Sequence, residues 1–374
     1  MPQIVIYETT HFENIPTLVE LFGLPGNRIT IFCSREAWLQ CKHLQPIVQV
    51  NPEWQLQDAD MSRRAFLQQL WRWLEPSKVD LLIVNTASDN FWKLAAICRK
   101  MRNRRVLLTV HAIQAYFSPQ LNFNFRRIVR VTGKWILRRN VKEYIVHSRA
   151  MLPAMRRNLP ASVPVHWIPG AIGGTATRAI PSFPLHLVIA GSVDARRRRY
   201  EELFQWLPLV DFPLKITLLG GSDNEYAKTL IGKLAAVANS QVGIATYTKD
   251  AIPQEEYDAV LSEAHFIYQP SVEQTILEDG AVETYGLTVN SGVFGDACRH
   301  LLPIIIPSSL NVDPVYEHMA FRYQTVAELV SFLRNIRDVQ AYECWQQKAF
   351  ELKTHLSAEK IRAYTPGLFG LRGG

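Results

Sequence analysis

Short runs of β-branched and aliphatic residues recur along the chain. Between them lie stretches of ten or more residues whose apolar positions fall three and four apart. The first pattern belongs to buried strands and the second to amphipathic helices. The strands this predicts are Ile4 to Tyr7, Ile29 to Cys33, Leu81 to Asn85, Val106 to Val110 and Tyr144 to Val146. A second group follows at Leu185 to Ala190, Ile216 to Leu219, Val242 to Thr246, Phe266 to Gln269 and Ile304 to Ile306. Strands separated by helical crossovers build parallel sheets. The Gly- and Pro-rich stretch "VPVHWIPGAIGGTATRAIPSFP" (163–184) divides the two groups and reads as a linker. The expectation is an α/β protein of two doubly wound Rossmann-like domains, residues 1–178 and 179–340, facing a cleft. Residues 341–374 are expected to form a closing helix and tail, because Tyr342, Trp345, Phe350 and Leu352 keep helical spacing between Gln340 and His355.

In such folds ligands sit at the carboxyl ends of the strands, so residues directly after a strand are the ones to weigh. "RRVLLTVHAIQAYF" puts His111 there, and "YETTHFEN" puts His11 and Glu13 at the same edge. A His at a strand end is more often structural, but it is also the side chain best able to share a proton near neutral pH. "LVIAGSVDARRRRYEEL" ends a strand in Gly191 and Ser192 and continues into Arg196, Arg197 and Arg198. Arginines there either fork onto a diphosphate or form a solvated face; ahead of a helix, such a basic run is unfavourable without an anion. "ITLLGGSDNEY" repeats the strand-then-glycine pattern. In "VETYGLTVNSGVFGDACRHLLPIIIP" (282–307), Glu283 lies in an expected loop before a helix opening near Ser291. Backbone amides from Thr284 through Tyr285 and Gly286 to Leu287 would then be open to a phosphate, whereas the plain reading is a surface Glu in a turn.

Composition changes this picture in one respect. The 374 residues are 48% hydrophobic and 20% charged, as in a globular protein, with a net charge of +7. The charge is unevenly spread: from Asn90 through Val193 there are 17 Lys and Arg and one acid, Glu143, whereas the rest has 24 basic and 33 acidic residues. A field of that kind implies an anionic partner. Within it, "FNFRRIVRVTGKWILRRNVK" (123–142) sets Arg126, Arg127, Arg130 and Lys134 among Ile128, Val131, Trp135 and Ile136. That is the spacing of a basic amphipathic helix able to lie on an anionic membrane, or of an ordinary surface helix. No apolar run is long enough to span a membrane. The opening residues read as a strand, not a signal peptide. The five scattered cysteines contain no CxxC and fit a reducing, cytoplasmic setting.

Taken in order, "LLTVHAI", "YIVHSRAML", "HWIPGAI", "AGSVDARRRRYEEL", "ITLLGGS" and "ETYGLTVNSG…LPIIIP" resemble the retaining GT-B glycosyltransferases of the family-4-like group. The resemblance spans most of the chain. It implies that Glu283 to Leu287 hold the donor sugar and its phosphates. It also implies that Ser192 with Arg196 to Arg198 bind the diphosphate and that His111 lies near the reacting sugar. The group usually has a second Glu eight positions after the first; Ser291 stands there, and Ser192 stands where an Arg is common. The implied activity is metal-independent transfer of a hexosyl-type sugar from a nucleotide-sugar, with retention and no cofactor. The acceptor would be lipid-linked or polymeric and anionic, presented at the inner face of a membrane. The alternatives are a non-catalytic GT-B partner of another transferase and a nucleic-acid-directed transferase.

Overall fold

The computed structural model describes residues 1–41, 51–118, 125–173, 178–237, 240–247, 252–277 and 279–370. Linker residues 174–177, residues 123–124 of the basic segment and the last four of the tail lie outside them.

Seven strands form the first sheet: β1 (Gln3–Glu8), β2 (Arg28–Ser34), β3 (Glu53–Gln57), β4 (Leu81–Val84), β5 (Arg105–Thr109), β6 (Glu143–Val146) and β7 (Val165–Trp167). They run parallel in the order β3-β2-β1-β4-β5-β6-β7, so the order reverses between β1 and β4. The second sheet has β8 (Leu185–Ala190), β9 (Leu214–Leu219), β10 (Val242–Thr246) and β11 (Phe266–Tyr268). It is completed by β14 (Ile304–Pro307) and β15 (Ala320–Tyr323). It too is parallel, ordered β10-β9-β8-β11-β14-β15. Every predicted strand is present. Four-residue runs such as Leu81–Val84 and Ile304–Pro307 are buried throughout, as parallel sheets covered on both faces require. Between β11 and β14 the chain makes an antiparallel hairpin of β12 (Gln274–Ile276) and β13 (Val282–Thr284).

Seven helices bear on the site: α1 (Phe91–Lys100), α2 (Ile113–Phe117), α3 (Phe125–Asn140), α4 (Glu201–Trp206), α5 (Val293–His300), α6 (Val339–Phe350) and α7 (Ala358–Tyr364). Gly133 of α3 lets α1 come close: a Cβ there would stand 2.8 Å from the Phe91 Cβ and 2.9 Å from Trp92. α5 opens after Gly292, close to the predicted start.

The tail differs from expectation. The predicted 340–355 helix breaks at Glu351, and further helices follow. α6 packs on the second domain through Tyr342, but the chain then returns to the first. Ala358, Ile361 and Leu368 join Ile4, Ile6 and Phe22 in one apolar cluster. Arg362 donates to the carbonyls of Glu20 (2.6 Å) and Leu21 (3.0 Å). The tail therefore straps the two domains together. Apolar residues at 358, 361 and 368 carry the helical period beyond 355, and that was the missed signal.

Candidate active site

The carboxyl ends of the two sheets face each other across a cavity of about 320 Å³. Its first-domain wall includes His11, His111, Arg130 and Lys134, and its second-domain wall includes Arg196, Arg197 and Thr275.

On the first-domain side a buried carboxylate organises the strand ends. Glu8, the last residue of β1, accepts the amides of Thr10 (2.5 Å) and His11 (2.7 Å). Its other oxygen accepts from Asn85 Nδ2 and the Thr86 hydroxyl, both at 2.6 Å. Asn85 Oδ1 in turn accepts from the Thr109 hydroxyl at 2.9 Å. Three neighbouring strands are thus tied at the ends that support the imidazoles.

His11 stacks on His111 with ring centroids 4.1 Å apart, and His111 lies 4.9 Å from His147. His111 Nε2 donates to the Asn85 carbonyl at 2.8 Å and His147 Nδ1 to the Ile168 carbonyl at 2.9 Å. Those protons fix the tautomers and leave one lone pair on each ring. Burial, together with the adjacent His11 and His147, pushes the pKa of His111 well below 6.5. His147 falls to about 4, chiefly through burial. Burial also opposes charge on His11, but the 2.9 Å bond to Glu13 and the nearby Glu8 outweigh it and the pKa rises. Two stacked rings cannot both hold a positive charge cheaply, so protonation is favoured at the one with a carboxylate. His11 beside Glu13 is thus the ring on which protonation is favoured, and His111 the ring on which it is disfavoured.

The second-domain wall departs from expectation in three places. Arg198 is buried and does not face the cavity as a diphosphate ligand. Its guanidinium donates to the carbonyls of Ser192 (2.7 Å) and Ala190, clamping the end of β8 around Gly191. Ser192 itself is exposed. Arg196 forks onto Asp194 at 2.8–3.2 Å, and Arg197 approaches the same carboxylate at 3.8 Å. Both line the cavity, so the run divides into one structural and two cavity-facing arginines. The basic residues also precede α4 by a turn, with Tyr200 as its cap.

The loop expected to leave amides open to phosphate instead closes on itself. The Thr284 amide donates to the Thr288 hydroxyl, Tyr285 N to the Glu273 carbonyl, Gly286 N to Val289 and Leu287 N to Thr284. Gly286 (φ +78°) is required there, since a Cβ would fall 2.0 Å from the Asn311 carbonyl oxygen. Ser291 is half-buried just ahead of α5, and its carbonyl accepts from Phe294 N at 3.3 Å.

Glu283 lies on β13, not in a loop, and is fully buried. Its Oε1 accepts the Ala115 amide in the first turn of α2 at 2.7 Å, so a second-domain carboxylate caps a first-domain helix. Burial raises its pKa, and the Thr288 hydroxyl with the Ala115 and Gln114 amides offsets only part of that. Across the hairpin Glu283 pairs with Thr275; Thr275 and Ala115 both line the cavity, with Glu283 directly behind them. The hairpin is pinned further by Ile113 N donating to the Thr288 carbonyl (2.8 Å) and by a bridge between Ala112 and Val289.

The basic helix also differs from expectation. Lys134 is buried, not a surface cation: Nζ donates to the Ala115 carbonyl at 2.6 Å and stands 3.5 Å from Asp279. Burial and the neighbouring Arg130 depress its pKa. Arg127 is half-buried and donates to the Asp279 carbonyl. Arg126, Arg130 and Trp135 remain exposed, Arg130 at the cavity mouth. Among the described residues no group of three or more His, Cys, Asp or Glu converges as a metal site. Nor is any described helix long and apolar enough to cross a membrane.

Comparison with known proteins places this geometry. Residues 18–172 match the model of Glycosyltransferase Family 4. HepE from Anabaena, solved with UDP, superposes with a TM-score of 0.59 at 12% identity, covering 98% of this chain and 99% of that one. An alpha-glucosyltransferase solved with UDP gives 0.59 at 10% identity, covering 99% and 100%. The chain has the GT-B glycosyltransferase fold. The lipopolysaccharide outer core galactosyltransferase WaaB, in its apo form, is similar at 0.56 and 13% identity, covering 98% and 100%. No curated protein matches the chain. At these identities the GT-B likeness is one of fold, and activity rests on the cavity.

Proposed function

We propose that this GT-B protein transfers a hexosyl-type sugar from a nucleotide-sugar to an acceptor, with retention and without a metal. The observation that carries this is the shared cavity, with exposed guanidinium groups on one wall and, on the other, His111 stacked on a His11 that is hydrogen-bonded to Glu13. The UDP held by HepE and by the alpha-glucosyltransferase supports a uridine diphosphate donor. Arg197 and Arg196 would neutralise charge growing on the departing diphosphate. His111 has a lone pair for a sugar hydroxyl, and the cavity aligns acceptor and donor. Glu283 would act through the wall it supports, reaching donor hydroxyls if the α2 contact loosens. Retention follows from the family resemblance alone. Ser291, in place of a second Glu, leaves ribose recognition to other groups.

The acceptor we infer is anionic and lipid-linked or polymeric, met at the inner face of a membrane in the cytoplasm. Arg130 at the cavity mouth suits it. The test is to incubate the protein with UDP-sugars and a lipid-phosphate acceptor. Product bearing the donor's anomeric coupling in proton NMR supports the reading, and inverted product removes retention. UDP binding without turnover would favour the non-catalytic partner, and transfer to DNA the nucleic-acid alternative.

A further inference from the structure

Helix α3 turns its apolar stripe the wrong way for a soluble protein. Phe125, Ile128, Val129, Thr132 and Trp135 fall three and four apart, which in a globular helix marks the face packed on the core, whereas Ile136 beside them does pack against it. Here the buried positions are Gly133, Lys134 and Leu137 on the opposite side. Phe125 is 77% exposed, Trp135 45% and Ile128 40%. Trp92 of α1, 49% exposed, extends the patch; its indole donates to the Val129 carbonyl at 3.0 Å. The one hydroxyl on the stripe is satisfied internally, since Thr132 Oγ1 donates to the carbonyls of Ile128 (2.8 Å) and Val129 (3.1 Å). The inward side is the cationic one: Arg127 and Lys134 reach Asp279, and Arg138 donates to the Phe117 carbonyl at 3.1 Å.

We propose that this outward face inserts into the interface of an anionic bilayer and that apolar insertion, not charge alone, holds the protein there. Charge decides the occupant. Arg126 and Arg139 flank the stripe, with the Arg139 guanidinium 3.4 Å from the centre of the Trp135 ring. The one acid between Asn90 and Val193 is Glu143 on β6, which is taken up by Arg105 (2.6 Å) and His166 (2.9 Å) on the neighbouring strands. An apolar ridge with aromatic side chains and arginines at its rim matches the acyl–headgroup boundary of a negatively charged leaflet. The inference rests on the membrane part of the functional reading and is independent of the donor chemistry. It also gives α3 two roles: its outer face seats the protein, while its inner face holds the hairpin that carries Glu283.

The test is co-sedimentation with phosphatidylcholine–phosphatidylglycerol vesicles at physiological and strongly raised ionic strength. Wild type is expected to stay largely bound when salt is raised. The triple variant Phe125→Ser, Ile128→Ser, Trp135→Ser should partition roughly a hundredfold less well. Thr132→Leu, which lengthens the ridge, should bind several-fold better. Calorimetric affinity for UDP should be the same in all, which separates failure of this inference from failure of the donor reading. Complete release of wild type by salt, or equal binding by the triple variant, overturns the proposal. So does a triple variant that abolishes self-association in sedimentation while vesicles bind none of the proteins; the stripe would then meet a second copy.

Discussion

Replacing Glu283 by Gln and by Ala separates its structural work from its chemical work. In the folded chain its carboxylate is out of water, and burial is the largest influence on its pKa, which rises. For an acid raised in this way, the folded state binds its proton more tightly than the unfolded state. The associated stability is fully present below the unfolded value, near 4.5, and is lost as pH rises through the folded value. At neutral pH the ionised group therefore costs the fold something. Gln keeps an oxygen to accept the 2.7 Å bond from Ala115 and discards the charge. Glu283→Gln should thus match or exceed wild type in urea unfolding at neutral pH, and its advantage should shrink as the pH falls toward 4.5. Ala leaves the Ala115 amide without its acceptor, a loss of about 1–3 kcal/mol, plus a small cavity. On transfer the ranking differs: losing a charged contact to sugar hydroxyls, about 1.5–3 kcal/mol, lowers kcat/KM roughly tenfold to a hundredfold in both variants. A Gln variant as unstable as Ala would refute the desolvation argument. A Gln variant with wild-type turnover would reduce Glu283 to a helix cap.

The arginine run and the histidine cluster give two further expectations. Arg197→Ala should weaken UDP binding by about one to two powers of ten in calorimetry, whereas Arg198→Ala should lower unfolding free energy by roughly 3 kcal/mol by stranding two carbonyls; equal effects of the two on binding would contradict their division. His147 titrates near 4 when folded against 6.5 in its ordinary range, so the unfolded chain binds more protons between those values and stability falls as pH drops through that window. Roughly 3 kcal/mol of pH dependence should disappear in His147→Gln, measured as urea midpoints across that range.

How much of this was legible in the sequence depends on period and distance. Nine of the ten predicted strands were readable because parallel, doubly covered strands are continuous apolar runs, while β10, a half-exposed edge strand, was readable from its β-branched Val242, Ile244 and Thr246. β3, with the sequence "EWQLQ", and β15, with "AFRY", were not, since neither is fully buried and both are edge strands. His11, His111, Arg196 and Arg197 were legible because each comes soon after the carboxyl end of a buried strand. Glu8 and His147 obey the same rule but were passed over; Glu8 looked like an ordinary strand end. The roles of Glu283, Arg198 and Lys134 could not be read locally, because each is set by a partner on another element: Ala115, the end of β8, and Asp279 of the hairpin region. The orientation of α3 was missed for a related reason. Its spacing showed an amphipathic helix, but the identity of the buried face depended on Gly133 admitting α1.

The central claim is that the cavity between the two sheets binds and uses a nucleotide-sugar. Its most direct test is nucleotide released from a panel of nucleotide-sugars with a chelator present, comparing wild type with Glu283→Gln and Arg197→Ala. Release from a uridine diphosphate sugar should survive chelation and fall at least tenfold in both variants. Release from no sugar, or release that neither substitution alters, would contradict it.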